Sequence, residues 1–470
     1  MKIIIDSMIY VEKPDQKLLS WCNNNLIIAN PLYIKMKNMG RSPWSIPQNI
    51  VFYVWHSGKL ILPRGLLKTI WDMYPDIKLY THRMNKCSHI EFNSDIKLRD
   101  YQLPAIDAIK VNKQGIIVMP CGAGKTETAL QIAVELKQPT LWITHTTDLL
   151  NQSLSRAREK LHLTKGEYGT IGAGDYTIGS HITFATVQSL KQKDLDSIKH
   201  RFGTVIVDEC HRAFISDSKM GMFQHVIEHL PSLYRIGITA SEHRSDGLIK
   251  GMFHMLGDKI YEVNQDDLNR NGNVIAPEVV AVPTNYKYEG DATLEFGAML
   301  ADMIRHDDRN EIILNKIRDN KHFKCLVLSD RLEQLNRLYS YTSHHTLTLE
   351  YINGKTNRKQ REAAIRKMQS GESTILFATY SLAKEGLDIP GLERLFLCTP
   401  HRDKVAVQQS VGRIMRVHEG KAKPRVYDFV DIQEGLCMSQ YRSRKSVYKK
   451  LGCVIKEDNL KEYSLNMKGI

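Results

Sequence analysis

A glycine-rich segment that could bind phosphate runs from Met119 to Thr126, after an apolar strand pattern and before a helical pattern at 127–136. Glycines in such a loop let backbone N–H groups turn toward phosphate oxygens, while a lysine neutralises phosphate charge and a hydroxyl can hold Mg²⁺. Met119 stands where the strict motif has its first glycine, so a chance turn stays open as the alternative. The predicted phosphate-binding residues are Cys121, Gly122, Ala123, Gly124, Lys125 and Thr126.

Two carboxylates follow a second apolar strand pattern, at Val205–Val207. Asp208 and Glu209 would then lie at the carboxyl edge of a parallel sheet, where such folds bind ligands. We expect Asp208 to hold Mg²⁺, directly or through water, and Glu209 to orient and deprotonate an attacking water. An Asp-Glu pair alone is commonly a solvated strand end. Together with the phosphate loop in the same sheet, the pair predicts hydrolysis of ATP, with Mg²⁺ as the metal.

Short apolar runs alternate with helical patterns from Gly115 onward, which indicates a parallel sheet covered on both faces. The alternation restarts at Cys325–Leu328 and continues to Val426–Phe429. The predicted fold class is therefore α/β, with two parallel-sheet lobes and a boundary near Pro283. We assign the first lobe, which binds the nucleotide, to residues 97–283, and the second to residues 284–434.

The two ends of the chain have a different character. Residues 1–96 contain a predicted hairpin around His56–Lys59 beside short helices, which indicates a small separate α+β module. Residues 435–470 contain a predicted helix over 438–451 that ends at Gly452. The cations of this helix are Arg442, Arg444, Lys445, Lys449 and Lys450. A solvated helix face and a phosphate-binding face are equally compatible with them.

Charge is concentrated at these two ends. Residues 1–96 hold 12 Lys/Arg against 7 Asp/Glu, and residues 435–470 hold 8 against 3, so the ends supply 10 of the 13 excess positive charges. A polyanionic partner would explain this distribution, although a solubility function is the alternative. In the N-terminal module, the predicted nucleic-acid contacts are Lys35, Lys37, Arg41 and Arg64. Trp44 could stack on bases, but a buried core position is the favoured interpretation.

Composition excludes several classes of protein. A length of 470 residues, with 42% hydrophobic and 25% charged residues, is typical of two to four folded domains. The eight cysteines show neither a Cys-x-x-Cys pair nor zinc spacing, which predicts reduced thiols. The apolar start at Met1–Ile5 is too short for a signal segment, and no run approaches the roughly 18 apolar residues of a membrane span. We expect a cytoplasmic protein with no membrane partner.

Ordered motifs over residues 97 to about 434 resemble the superfamily 2 helicases of the DExH type, whose two lobes are RecA-like. The matching segments, in chain order, are Arg99–Gln102, the phosphate loop, Thr144–Gln152, Ala185–Leu190, Asp208–His211, Thr239–Ser241, Ile352–Thr356, Phe377–Pro390 and Gln408–Arg416. The resemblance implies two tandem RecA-like lobes and nucleic-acid-dependent ATP hydrolysis.

The last of these segments adds positive charge from the second lobe. Arg413 and Arg416 are three residues apart on one predicted helix face, and could reach phosphates held by Lys125 as arginine fingers. Two arginines on a helix are usually surface residues, so this prediction depends on the two lobes facing each other. The predicted catalytic residues are Lys125, Asp208, Glu209, Arg413 and Arg416.

The resemblance implies further roles. The adenine would be bound by Arg99 and Gln102, and the ribose would be approached by Gly386 and Asp388. Thr186 and Thr379 would contact the nucleic-acid backbone. The residues that would couple hydrolysis to movement are His211, Thr239, Ser241 and Gln409.

Two segments, Val411–Arg416 and Gly257–Glu262, are most similar to the group of XPB and UvsW type DNA helicases. This likeness implies a helicase or translocase that unwinds or branch-migrates forks, Holliday junctions and D-loops, in the 3′ to 5′ direction, for recombination, repair or replication. Residues 244–246 only loosely match the group's Arg-Glu-Asp element, so no strand-separating role is predicted there. An RNA helicase and an ATP-switched clamp without unwinding stay open as alternatives, and a monomer is favoured.

Overall fold

The computed structural model describes residues 1–76, 80–212, 221–240, 248–343, 348–385, 387–458 and 460. The chain divides into two compact units, one comprising residues 1–120 and 124–263 and the other residues 121–123 and 264–470. Among the described residues, no helix combines the length and the apolar character that a membrane crossing requires.

The first unit begins with an α+β part whose main sheet has the strand order β5-β6-β2-β1-β7. Its strands are β1 (Lys2–Ile5), β2 (Met8–Glu12), β3 (Ile27–Ala29), β4 (Asn49–Val51), β5 (Val54–His56), β6 (Lys59–Pro63) and β7 (Tyr80–His82). Its helices are α1 (Gln16–Asn25), α2 (Pro31–Asn38) and α3 (Leu67–Met73). Strands β3 and β4 pair with each other outside this sheet.

The predicted hairpin is present but shorter than the apolar run suggested. Strands β5 and β6 are antiparallel, and Ser57 and Gly58 connect them with φ angles of 49° and 73°. Positive φ at both central residues matches the right-handed twist of paired strands. The residues before Val54 do not extend this strand, because Asn49–Val51 pairs with β3.

A second sheet in the first unit carries the predicted phosphate loop and has the order β11-β10-β12-β9-β13-β14-β8-β15. Its strands are β8 (Gln114–Val118), β9 (Thr140–Thr144), β10 (Tyr168–Gly172), β11 (Asp175–Tyr176), β12 (Ile182–Thr186), β13 (Thr204–Asp208), β14 (Tyr234–Thr239) and β15 (Lys259–Glu262). The helices are α4 (Leu103–Asn112), α5 (Lys125–Leu136), α6 (Thr147–Leu161), α7 (Val187–Lys191), α8 (Met222–Glu228) and α9 (Ile249–Leu256). Strands β9, β12 and β13 are buried throughout, as their continuous apolar pattern predicted.

The α+β part and this second sheet share one hydrophobic core, so the N-terminal domain is not separate from the first lobe. Arg64 is 0% exposed and lies where the two parts meet. Its guanidinium donates to Gln114 Oε1 at 2.9 Å and to the Ser232 carbonyl at 2.6 Å. Arg235 is also buried and donates to the Ser7 carbonyl at 2.9 Å. A Cβ on Gly65 would lie 2.3 Å from the His254 carbonyl, so the backbone of Gly65 packs closely against the backbone of α9.

The second unit contains a parallel sheet in the order β18-β19-β17-β20-β21-β16-β22. Its strands are β16 (Glu278–Thr284), β17 (Cys325–Leu328), β18 (Leu349–Ile352), β19 (Ile375–Ala378), β20 (Arg394–Leu397), β21 (Arg425–Asp431) and β22 (Val454–Lys456). Its helices are α10 (Gln265–Arg270), α11 (Phe296–Met303), α12 (Asp307–Asp319), α13 (Leu332–Ser343), α14 (Arg358–Ser370), α15 (Tyr380–Glu385), α16 (Lys404–Ile414) and α17 (Gly435–Lys450).

Both predicted limits of the second lobe need correction. The boundary lies between Val263 and Asn264 instead of near Pro283, because β16 contains Pro283 and pairs with β21. The C-terminal residues are not an appended extension either, since β22 pairs with β16 in the same sheet.

Helix α17 ends before Gly452, which has a φ of 72°, but its cations do not form a single surface. Arg444 is buried and donates to both carboxylate oxygens of Asp428, at 2.9 and 2.8 Å. Lys445 pairs with Glu457 at 2.5 Å. Arg444 therefore forms a buried ion pair within the lobe and cannot belong to a phosphate-binding face of the helix.

Candidate active site

The carboxyl edge of the first unit's parallel sheet brings the predicted motifs together. Thr186 aligns with Thr144, Asp208 aligns with Ile238, and Thr239 aligns with Val118, the last residue of the strand before the phosphate loop. Segments far apart in the sequence therefore end side by side, at the edge where open α/β sheets bind ligands.

The phosphate loop connects β8 to α5. Gly122 and Gly124 have φ angles of 84° and 75°, in the left-handed region that favours glycine. Gly124 is the N-cap residue of α5, and Lys125 is its first helical residue. A helix N-terminus presents unpaired N–H groups and positive dipole charge, both of which suit phosphate. The loop therefore has the local geometry that its sequence predicted.

Lys125 and Glu209 form a partly exposed ion pair at this edge, with Nζ and Oε1 separated by 2.9 Å. The other oxygen of Glu209 lies 3.3 Å from His211 Nδ1. Burial opposes ionisation of Glu209, but the charge of Lys125 and then the nearby His211 outweigh it and hold the pKa of this carboxyl well below its usual range. Glu209 has a φ of 49°, a conformation that costs a non-glycine residue about 1–3 kcal/mol.

Asp208 is ionised less readily. Burial and then the neighbouring charge of Glu209 raise its pKa to about 7, although Lys125 opposes the shift. A buried carboxylate beside a second carboxylate is stabilised by a divalent cation, and oxygen ligands are the ones Mg²⁺ prefers. Asp208 therefore fits the predicted metal, and the left-handed glycines of the loop fit the predicted ATP phosphates. Thr126, the second residue of α5, stays a predicted metal ligand.

The predicted coupling residues His211 and Thr239 are joined directly. His211 Nδ1 lies 2.8 Å from Thr239 Oγ1, and both side chains are buried. This contact connects His211, which follows Glu209 and Cys210, to Thr239 at the end of β14. Gln409 is buried in α16 of the second unit. Ser241 lies outside the described residues.

The predicted adenine element is tied to the phosphate loop. Gln102 accepts the Arg99 N–H at 2.8 Å, and its amide donates to Thr128 Oγ1 at 2.8 Å and to the Gly124 carbonyl at 3.3 Å. Tyr261, to which the sequence assigned no role, donates its hydroxyl to the carbonyl of Tyr101 at 2.5 Å.

In the second unit, two predicted nucleotide-binding residues contact each other. Arg416 forms an ion pair with Asp388, and Arg413 Nε donates to the Ala383 carbonyl at 3.1 Å. Thr379 Oγ1 lies 3.0 Å from Ser381 Oγ. Gly386, the other predicted ribose contact, lies outside the described residues, as do residues 244–246.

The predicted nucleic-acid contacts divide into exposed and buried residues. Lys35, Lys37 and Arg41 are exposed. The prediction for Arg64 is wrong, because its guanidinium is enclosed and bonded to the protein. Thr186 is 4% exposed, and its hydroxyl accepts the Ser189 N–H to cap α7, so a direct contact through this side chain is not supported.

The interpretation of Trp44 as a core residue is also wrong, since it is 90% exposed. Whether Trp44 and Arg64 are exposed depends on which other parts of the chain pack against them. Their neighbours in the sequence do not indicate this packing.

Comparison with known proteins gives two matching family models. The model of the type III restriction enzyme res subunit matches residues 95–244, and that of the helicase conserved C-terminal domain matches residues 308–418. The first match includes the phosphate loop and the acidic pair, and the second includes Arg413 and Arg416. The chain belongs to the superfamily 2 helicases of the DExH type. Both the helicase models and the helicase-named relatives support a nucleic-acid-dependent ATPase.

Individual relatives support the same assignment. A protein of Acanthamoeba polyphaga mimivirus, named as a candidate ATP-dependent RNA helicase, is 30% identical over 346 residues, which are 72% of this chain and 64% of the relative. The DNA 3'-5' translocase XPB2 of Sulfurisphaera tokodaii is 26% identical over 368 residues, which are 70% of this chain and 80% of the relative. The helicase thus spans less than two thirds of the mimivirus relative, and the XPB likeness seen in its motifs is confirmed.

The tandem RecA-like fold is confirmed by solved structures. The structure of S. cerevisiae Dbp5 bound to RNA and ADP BeF3 has a TM-score of 0.56 and 16% identity, and the match covers 87% of this chain and 97% of that one. At this identity the likeness concerns the fold alone. The helicase therefore combines two RecA-like lobes with a small N-terminal α+β domain.

Proposed function

We propose that this helicase hydrolyses ATP at the carboxyl edge of the first lobe and uses the energy to translocate along DNA and to unwind or branch-migrate forked and junction DNA. One observation carries the proposal. Lys125, Glu209, His211 and Thr239 form a continuous series of side-chain contacts. The series links the phosphate loop, the water-activating carboxylate and the end of β14, as a motor needs if hydrolysis is to alter structure beyond the nucleotide.

Each residue of this edge has a defined task in the proposal. ATP with Mg²⁺ supplies the γ-phosphoryl group and the divalent charge that stabilises its transfer. Lys125 binds phosphate oxygens, while Thr126 and Asp208 hold the metal. Glu209 orients the attacking water and accepts its proton.

The ion pair between Lys125 and Glu209 makes water activation depend on phosphate. The ammonium that now contacts Glu209 Oε1 is the group that would bind the phosphates. Phosphate oxygens would compete for this ammonium and leave the carboxylate free to act on water. The water-activating group would then be released only when a nucleotide is bound.

We further propose that Arg413 and Arg416 stabilise charge on the transferred phosphoryl group, and that Asp388 binds the ribose. Within the second lobe, the ion pair of Arg416 with Asp388 and the bond from Arg413 to the Ala383 carbonyl orient both guanidinium groups. Bidentate guanidinium groups are well suited to phosphate, and such fingers contribute large factors to phosphoryl transfer.

DNA is the proposed substrate because the relative XPB2 is named as a DNA 3'-5' translocase. We extend its 3′ to 5′ direction to this chain, and the UvsW-type motif likeness suggests forks, Holliday junctions and D-loops in recombination, repair or replication. RNA is the second candidate, favoured by the 30% identical mimivirus relative named for RNA.

The experiment compares ATP hydrolysis by the full chain with single-stranded DNA, duplex DNA, a four-way DNA junction and RNA of matched sequence, and measures unwinding of a labelled fork. Preferential stimulation by the junction and ATP-dependent fork unwinding are the expected results. Preferential stimulation by RNA would replace DNA with RNA as the proposed substrate. Binding of ATP without hydrolysis would leave the ATP-switched clamp without unwinding as the function.

A further inference from the structure

An acid-free stretch of sequence covers much of the N-terminal domain. Residues 16–71 contain no Asp or Glu but seven Lys or Arg. Several of these cations have partners, since Lys59 pairs with Glu12, Lys68 pairs with Asp72 and Arg64 is buried. Lys35, Lys37 and Arg41 reach the surface and form no ion pair among the described residues. A site for negative charge therefore remains on α2 and the loop that follows it.

The loop after α2 is held against both ends of this helix. The Arg41 N–H donates to the Met36 carbonyl at 3.0 Å, near the C-terminus of α2. The Asn30 side-chain amide donates to the Pro47 carbonyl at 2.9 Å, at its N-terminus. The intervening residues thus run back along the helix. Trp44 lies near their middle, a few positions after Arg41 in the sequence.

Trp44 lies in a hydrogen-bonded turn. The Ile46 N–H donates to the Pro43 carbonyl at 2.8 Å, which closes a turn around Trp44 and Ser45. Pro43 and Pro47 restrict the backbone on either side, so little conformational freedom remains to be lost when a ligand binds. The indole is 90% exposed, although tryptophan normally buries most of its surface.

Other apolar side chains are exposed on α2 and at its C-cap. Helix α2 contains no buried residue, and Ile34 and Met39 are 45% and 58% exposed. Both line a pocket of about 530 Å³, together with Lys35 and with Leu248 of the RecA-like lobe. Exposed apolar side chains and unpaired cations on one helix and the loop that follows it suit a ligand with flat apolar groups and strong negative charge.

We infer that α2 and its loop, residues 31–47, bind an unpaired nucleic-acid strand, with a base stacked on Trp44 and phosphates contacted by Lys35, Lys37 and Arg41. Bases of a duplex are already stacked on each other, so a protruding indole gains most from bases that are free. The inference rests on the proposed function, because it places one arm of a fork on the N-terminal domain.

The test measures equilibrium binding of the full chain, without nucleotide, to fluorescein-labelled single strands of DNA and of RNA. Each strand is compared with a version that contains abasic sites and with a blunt duplex. The variants are Trp44→Ala, Trp44→Phe and, as a matched control on α3, Trp71→Ala. Trp71 is also exposed, but it lies beside the Lys68–Asp72 pair.

Trp44→Ala should weaken binding to the normal strand on the order of tenfold, because stacking on one aromatic side chain contributes about this much. Binding to the abasic strand should not change, Trp44→Phe should restore most of the affinity, and Trp71→Ala should have no effect. Unchanged affinity of Trp44→Ala for the normal strand, or an equal loss on the abasic strand, would overturn the inference.

Two further measurements distinguish a strand site from an inactive motor and from a membrane-binding surface. The first measurement is the response of ATP hydrolysis to nucleic acid. If the wild type responds but Trp44→Ala binds strands normally, the inference fails and the proposed function stands. If the wild type does not respond, the proposed function itself fails. Binding of the wild type to vesicles of anionic lipid that Trp44→Ala loses, with strand affinity unchanged, would assign the surface to a membrane and overturn the strand site.

Discussion

Two cationic regions of the N-terminal domain have opposite environments. Arg64 lies in the contact between this domain and the RecA-like sheet, where backbone carbonyls and Gln114 accept its hydrogen bonds. Arg41, 23 positions earlier, lies on the exposed loop with Trp44. Cations in one acid-free stretch can therefore either form buried hydrogen bonds within the protein or remain exposed to contact a ligand. Their surroundings, and not their residue type, decide which.

Loss of the shared core should have the strongest consequence. Removing residues 1–96 would expose Met252, Met255 and Leu256 of α9, which pack with the N-terminal domain in one cluster. We expect the remaining chain, 97–470, to lose cooperative unfolding of its first lobe and to become sensitive to protease. Thermal unfolding and limited proteolysis of both chains would measure this. A shortened chain with the original melting temperature would show that the two parts are independent.

Acid should weaken the same contact. His254 packs edge-on against Phe52, and burial, followed by the charge of Lys250, lowers its pKa to about 4. The unfolded histidine has a pKa near 6.5, so the unfolded state binds a proton first as the pH falls. Stability is therefore complete above pH 6.5 and decreases between pH 6.5 and 4, by up to about 3 kcal/mol.

Urea unfolding of the first lobe at several pH values would test this dependence. The variant His254→Gln, which does not titrate, should lose the part of the acid sensitivity between pH 6.5 and 4. Identical pH dependence in the variant and the wild type would assign the acid sensitivity to other groups.

Replacing Arg64 and Arg41 in separate variants should distinguish the buried cationic region from the exposed one by their effects on stability. Arg64→Met would leave the Ser232 carbonyl and Gln114 without their donor, at a cost of about 1–3 kcal/mol. Arg41→Met, the matched exposed variant, should change the free energy of unfolding by less than about 0.5 kcal/mol. Chemical unfolding of both variants gives the comparison, and equal stability losses would contradict it.

The weakest of these effects concerns salt. Arg41→Ala should reduce the slope of log affinity against log salt for single-stranded DNA by about 0.7, the contribution of one phosphate contact. Lys68→Ala provides the control, because Lys68 is already paired with Asp72. Titrations over a range of salt concentrations would resolve the difference, and equal slopes for Arg41→Ala and the wild type would remove Arg41 from the contact.

Much of the active edge could be predicted from the sequence because its signals are local. An apolar strand, a glycine loop and a helix start occur within a few residues of Lys125, and the carboxylates of Asp208 and Glu209 lie at the end of β13. The parallel order of strands then brings these ends together. His211 and Thr239 were each predicted as coupling residues, but their direct contact is seen only in the structure.

Other features could not be predicted, because they depend on residues distant in the chain. The change in pattern near Pro283 predicted a lobe boundary, yet Pro283 lies within β16, which pairs with β21. Arg444 looked like one cation of a basic helix, yet Asp428 forms a buried ion pair with it. Cation and tryptophan counts along the sequence carry no information about such partners, so they could not distinguish Arg64 from Arg41 or foresee the exposure of Trp44.

Water activation by Glu209 at the Lys125 site is the step on which the proposed ATP hydrolysis depends. Steady-state hydrolysis by the wild type and by Glu209→Gln with saturating junction DNA tests it, alongside binding of a fluorescent ATP analogue. Glu159→Gln, a change in a surface carboxylate, is the control. We expect the rate to fall by roughly 10²–10⁴-fold for Glu209→Gln with nucleotide binding retained. Equal hydrolysis rates in Glu209→Gln and the wild type would contradict a water-activating role for this carboxylate.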